Sequence, residues 1–245
     1  MLLAAHWDTV ALGYFLLVWI GYGYYAKHRA KKGEQLSLSR AMRSHRDLWA
    51  SRMLLRDNRI MDSALLANQE RVVGFFASTT LLLLAAVLTA LFRAGEIAEL
   101  TSHVAFGSRH TEAEMEFKLM ILLLVLVYGF FKITWALRQY GFANVLVGSA
   151  PGLDEAVTEE TRAVFAGNLA RLMDLAGHDN NSCLRAYYFA LAVVFWFAGN
   201  LAFAIATSVI VLILANREFR SDAVVCIRDA YVPVEGRAST DCDAP

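Results

Sequence analysis

The chain has 245 residues, of which 57% are hydrophobic and only 19% charged, whereas a soluble domain has roughly 45–50% apolar and 25% charged residues. Lys and Arg together number 23, as do Asp and Glu, so the net charge gives no sign of the basic surface that nucleic-acid-binding proteins carry. Three cysteines are too few for a disulfide scaffold.

Four apolar segments are long enough to cross a bilayer, which takes about 17–25 helical residues. They cover residues 9–26, 75–92, 119–137 and 187–215. Because backbone groups have no partner in hydrocarbon, these segments predict helices. The chain is thus predicted to be an all-α integral membrane protein with four transmembrane helices in one domain, residues 1–220, followed by a polar tail, residues 221–245.

The charges between the apolar segments predict the orientation. Residues 27–71 carry eleven Lys and Arg against five acids, whereas residues 93–118 carry three against five. The basic segment marks the cytoplasmic side of the membrane. With four crossings, both termini and the tail are predicted to be extracytoplasmic.

The two cytoplasmic segments are predicted to contain further helices. In residues 34–73, apolar residues recur at helical spacing opposite a basic face, with a possible break near Asp57-Asn58. This amphipathic segment either lies on lipid headgroups or packs on the other cytoplasmic segment. The latter predicts a helix from Glu159 to Ala176, capped by Thr158 and ended by Gly177.

A polar network at the cytoplasmic boundary is the first candidate site. Its members are Arg56, Asp57, Arg59, Asp62, Lys132, Arg138 and Arg185. Arg59 and Asp62 are three residues apart, which predicts an ion pair on one helix face. The cluster is either an internal ion-pair network or a site for an anionic headgroup. Lys132, inside the third apolar segment, is predicted to reach the interface with its long side chain or to pair with Asp62 or Glu70, and ion conduction is the alternative.

Small residues and cysteines supply two further predictions. Alanines repeat along the fourth apolar segment, which favours close helix packing; they are Ala190, Ala198, Ala202 and Ala206. An extracytoplasmic tail permits disulfides, so Cys226 and Cys242 are predicted to be bonded, and Cys183 to stay free.

Three separated blocks of residues resemble a known family. They are Arg56-Asp57-Asn58-Arg59 with Asp62, followed by Phe75-Phe76-Ala77-Ser78-Thr79 and Leu81-Leu82-Leu83; Phe130-Phe131-Lys132 with Trp135, Arg138, Gln139 and Tyr140; and Leu184-Arg185-Ala186-Tyr187-Tyr188-Phe189 ahead of Trp196-Phe197. Together they resemble the uncharacterised bacterial membrane-protein family called domain of unknown function 599. The resemblance covers about Thr9 to Ser221 and implies the four-helix architecture without an activity.

The sequence contains no motif for haem, zinc or nucleotide binding and no nucleophile–base grouping, so neither an enzyme nor a cofactor or metal is expected. The expected role is that of an accessory, assembly or scaffold subunit in contact with the lipid bilayer and with a membrane-protein partner or copies of itself. The alternative is a small oligomeric transporter or channel.

Overall fold

The computed structural model describes residues 2–31, 38–102 and 111–231, and this part of the chain is built from α-helices. The helices are α1 (Leu2–Lys31), α2 (Leu38–Met53), α3 (Ile60–Leu91), α4 (Ala94–Ser102), α5 (Glu112–Gly148), α6 (Glu159–Phe195), α7 (Asn200–Phe219) and α8 (Asp222–Asp229). Four stretches within the described residues are long and apolar enough to span a membrane: Ile60–Leu91, Glu112–Gly148, Glu159–Ala198 and Asn200–Asp229. The predicted all-α membrane fold with four such helices is confirmed.

The predicted fourth span, residues 187–215, is not one helix. Helix α6 ends at Phe195, a single 3-10 turn covers Trp196–Ala198, and α7 begins at Asn200. Gly199 between them has a φ of 135° and a ψ of 164°, a conformation that is essentially restricted to glycine. The chain therefore reverses inside the apolar run, and α7 returns along α6 until the Arg217 guanidinium lies over the Tyr188 ring at 5.7 Å from its centroid.

This reversal corrects the predicted position of the tail. Helix α8 packs against α2, where the His45 Nε2–H donates to the Ile227 carbonyl oxygen at 2.6 Å, and Ser39 Oγ donates to Glu218 Oε1 at 2.8 Å. Residues 216–231 thus lie at the same end of the bundle as the basic segment, and their predicted placement at the opposite end is wrong. Residues 232–245 lie outside the described part of the chain.

Helix α1 contains the predicted first span, residues 9–26, and runs parallel to α7. Trp196 Nε1 near the start of α7 donates to Asp8 Oδ1 at 3.1 Å, and the Tyr14 hydroxyl lies 2.8 Å from Ser208 Oγ. Phe15 is fully buried against Phe189 and Phe203, with ring centroids 5.6 and 5.2 Å away. Aromatic packing therefore joins α1, α6 and α7 into one core.

The two segments predicted to be cytoplasmic form helices that pack on each other. The expected break before α3 is confirmed, since α2 ends at Met53 and α3 begins at Ile60. Ala50 and Met53 of α2 are fully buried, and α2 packs against α6. Thr158 caps α6 as predicted, accepting from Thr161 N at 3.2 Å.

The predicted end of this helix at Gly177 is wrong, because α6 continues without a break to Phe195. A Cβ atom at Gly177 would lie 2.6 Å from Arg46 Nη2. The glycine therefore allows the α2 side chain to approach α6 closely, and it does not act as a helix stop. As a result, residues 178–182 lie in the middle of a long helix.

Candidate functional site

A partly buried polar contact within the membrane-spanning helices joins α5 to α6. Lys132 Nζ lies 2.7 Å from Asp179 Oδ1, and Gln139 Nε2 donates to Asp179 Oδ2 at 2.9 Å. The Asp179 and Gln139 side chains are buried, whereas the Lys132 side chain keeps 34% of its exposure. Lys132 is thus paired, which was one of two predicted alternatives, but its partner is Asp179 and not Asp62 or Glu70. The uninterrupted path of α6 brings Asp179 opposite Lys132.

A second ion pair lies further from the membrane-spanning region. Arg46 Nη1 of α2 donates to Asp174 Oδ1 of α6 at 2.8 Å, and both side chains are largely buried. The buried Tyr140 of α5 lies within electrostatic range of this pair. The pair fixes α2 against the bundle.

Asp62, at the start of α3, is the central acceptor of the predicted Arg/Asp cluster. Its carboxylate is fully buried and accepts from Trp49 Nε1 at 2.8 Å and from Arg56 Nη1. Asp62 Oδ2 has no hydrogen-bond partner among the described residues. The exposed Asp57 lies outside this buried group.

The predicted Arg59–Asp62 pair does not form. Arg59 donates instead from Nη1 and Nη2 to the carbonyl oxygens of Ala150 and Pro151, both at 2.6 Å. Arg59 is the residue before the first turn of α3, with a φ of −108° and a ψ of 15°, so the three-residue spacing of a helix does not bring it to Asp62. Its guanidinium instead holds the loop that follows α5.

The remaining two members of the predicted network do not join these clusters. Arg138 is exposed, with its guanidinium 5.7 Å from the Phe142 ring centroid. Arg185 is half-buried on α6, within electrostatic range of Tyr22 and His178. The seven predicted residues are thus spread over separate contacts at one end of the bundle.

The predicted alanine stripe is divided by the reversal at Gly199. Ala190 is buried on α6, Ala198 is exposed in the 3-10 turn, and Ala202 and Ala206 lie on α7. Helices α5 and α6 approach each other closely at another position: a Cβ at Gly129 would lie 3.4 Å from the Ala186 Cβ and 3.7 Å from Cys183 Sγ. The sequence signal for this close contact was Gly129, a glycine inside the third apolar segment.

Sequence reasoning also missed a polar cluster at the opposite end of the bundle. Lys118 of α5 is 1% exposed, its Nζ lying 3.8 Å from Asp8 Oδ1 and donating to the Trp196 carbonyl oxygen at 3.3 Å. Trp196 Nε1 also donates to Asn200 Oδ1 at 2.6 Å. These contacts tie α1 and α5 to the chain reversal. The available signal was a lysine directly before an apolar run.

The two cysteine predictions have different outcomes. Cys183 is a buried free thiol, as predicted, and Cys226 is an exposed free thiol on α8. Cys242 lies outside the described residues, so the predicted bond stays a prediction. Its premise is nevertheless corrected, because α8 lies at the end of the bundle where the basic segment is.

Most polar side chains of this site connect one helix to another. The described residues contain no group of three or more His, Cys, Asp and Glu placed to hold a metal ion. Their geometry suits holding helices together. The lateral surfaces of the bundle are left apolar, as on α3, where Phe75 and Leu82 are 68% and 72% exposed.

A family model for a protein of unknown function, DUF599, matches residues 10–223. Neither a curated protein nor a solved structure matches the chain. Since the matched residues are most of the 245, the chain belongs to the DUF599 family.

Proposed function

We propose that this protein is a non-enzymatic accessory, assembly or scaffold subunit that associates with other membrane chains. The observation that supports the proposal is that charged side chains are used inside the bundle, whereas its outer surface is apolar. The charged side chains Lys132, Asp179 and Asp62 are engaged in contacts between helices, whereas α3 presents a broad apolar face. Lipid tails give such a face no hydrophobic drive to associate, so in this proposal the partner chain binds it by close packing of side chains.

The proposed orientation places the start of α1 outside and α8 in the cytoplasm of a bacterial inner membrane. Its support is that α1, parallel to α7, carries the uncharged residues 9–26, which span about 27 Å at ~1.5 Å per residue, close to the thickness of a hydrocarbon core. With α1 as a fifth crossing helix, the basic segment, residues 27–71, stays cytoplasmic. Helix α8, packed on α2, then lies on the same side.

The test is gentle extraction of the full chain from its native membrane, followed by native mass spectrometry. A foreign membrane chain at a fixed ratio supports the scaffold role. A monomer or pure homo-oligomer, obtained in several mild detergents, would contradict it. A Phe75→Ala/Leu82→Ala variant should lose the partner, whereas Val164→Ala, at an exposed site on the cytoplasmic part of α6, should retain it.

A small oligomeric transporter or channel is the second candidate. One observation favours it: the buried Gln139 Oε1 and Asn180 Oδ1 have no hydrogen-bond partner among the described residues, and they belong to the same part of α5 and α6 as the Lys132–Asp179 pair. An intramembrane charge of this kind can mark a solute path. The test is solute flux into proteoliposomes. If the unmodified chain transports a solute and a correctly folded Lys132→Met variant does not, the transporter is favoured over the scaffold.

A further inference from the structure

A shallow groove of about 730 Å³ lies on the outer face of α5, lined by Phe131, Thr134, Trp135, Leu137 and Arg138. Phe131 and Trp135 keep 67% and 51% of their exposure. Because residues three and four apart share a helix face, Phe131, Trp135 and Arg138 form one continuous stripe. The stripe rises by about 10 Å, at ~1.5 Å per residue.

The groove is apolar along its length and charged at one end. The Thr134 hydroxyl donates to the Phe130 carbonyl oxygen at 2.8 Å, so it is already satisfied and needs no polar ligand. Arg138 stands directly after the predicted third span, residues 119–137, with its guanidinium beside the Phe142 ring. No salt bridge to Arg138 occurs among residues 2–31, 38–102 and 111–231.

We propose that this groove binds an anionic phospholipid of the cytoplasmic leaflet. Its acyl chain lies against Phe131 and Trp135, and its phosphate group meets the Arg138 guanidinium, whose planar fork matches phosphate oxygens. A tryptophan next to an arginine at the membrane boundary suits both parts of such a lipid. A free phosphate ion would leave the apolar wall uncovered, which is why a lipid is the better occupant.

The lipid site and the scaffold role can fail separately, because the groove lies on α5 and the proposed partner face on α3. The test uses native mass spectrometry of the full chain released from nanodiscs that contain phosphatidylglycerol and phosphatidylethanolamine in equal amounts. Arg138→Gln should weaken phosphatidylglycerol retention about fivefold, the equivalent of about 1 kcal/mol for one basic residue near an anionic surface. Arg171→Gln, at an exposed arginine on the cytoplasmic part of α6, is the matched control and should change nothing.

A second measurement reports on the apolar wall. Brominated phosphatidylglycerol should quench tryptophan fluorescence more strongly than brominated phosphatidylethanolamine. The Trp135→Phe variant, which keeps the other four tryptophans, should show equal quenching by the two lipids. Equal retention of both lipids by the unmodified chain, or unchanged phosphatidylglycerol retention in Arg138→Gln, would overturn the proposal. Thermal unfolding of each variant distinguishes a lost lipid from a lost fold.

Discussion

The Lys132–Asp179 contact predicts an unequal response to removing either partner. Asp179 keeps 11% of its side-chain exposure and Lys132 34%, so the carboxylate depends on the pair more than the ammonium does. Removing one partner of a fully buried pair costs about 3–5 kcal/mol, and an exposed pair is worth about 0–1 kcal/mol. Because the Lys132–Asp179 pair is partly buried, its contribution to the free energy of unfolding should lie between these two limits.

Lys132→Met should therefore lower the free energy of unfolding by about 2–3 kcal/mol, because it leaves a buried carboxylate whose remaining hydrogen bond comes from Gln139. Asp179→Asn should cost about 1 kcal/mol, since the lysine side chain can turn its ammonium to water. The double variant should cost less than the sum of the two single variants, by about 1 kcal/mol or more.

The assay is equilibrium unfolding of the full chain in a mild detergent, with Arg171→Met as a control at an exposed arginine. Additive effects, within about 0.5 kcal/mol, would show that the two residues do not interact. A larger loss from Asp179→Asn than from Lys132→Met would refute the reasoning from exposure.

Three further predictions follow from single contacts. In double-mutant cycles on thermal stability, the effects of Arg56→Ala and Asp62→Ala should be coupled by about 1 kcal/mol or more. The effects of Arg59→Ala and Asp62→Ala should instead add within about 0.5 kcal/mol. The opposite result would support the Arg59–Asp62 pair that the sequence spacing predicted. Gly177→Ala should be less favourable than Gly167→Ala by about 1 kcal/mol, because its Cβ displaces the Arg46 guanidinium from the partly buried pair with Asp174. Gly167 on the same helix has open space around it, so Gly167→Ala should stabilise by about 0.5–1 kcal/mol; equal effects would count against the close approach. In intact cells with a permeabilised outer membrane, a membrane-impermeant maleimide should not label Cys226 of a Cys242→Ser variant until the inner membrane is opened, and earlier labelling would place α8 outside.

The sequence was sufficient for the apolar helices and for part of their capping. The apolar runs of α3 and α5 and the Thr158 cap were predictable from local patterns. Thr111 and Glu114 form a capping box at the start of α5, a signal present in the sequence that the prediction did not use. These features depend on residues close together in the chain.

The missed features depend on contacts between distant residues. The chain reversal at Gly199 lies within an uncharged apolar run, so a hydropathy profile does not reveal it. The local sequence signal for the reversal is the pair Gly199-Asn200. Asp179 stands in a run of turn-forming residues, but packing of α6 on α5 and α2 keeps that run helical and brings the acid to Lys132. Tertiary contacts of this kind override local preference.

Site-specific photo-cross-linking in living cells tests the proposed scaffold role most directly. A photoreactive amino acid at Leu82, 72% exposed on α3, is compared with one at Val73, fully buried on the same helix. A scaffold subunit should give a defined adduct with one foreign membrane protein from position 82 and none from position 73. Adducts with lipid or a second copy alone from position 82 would contradict it.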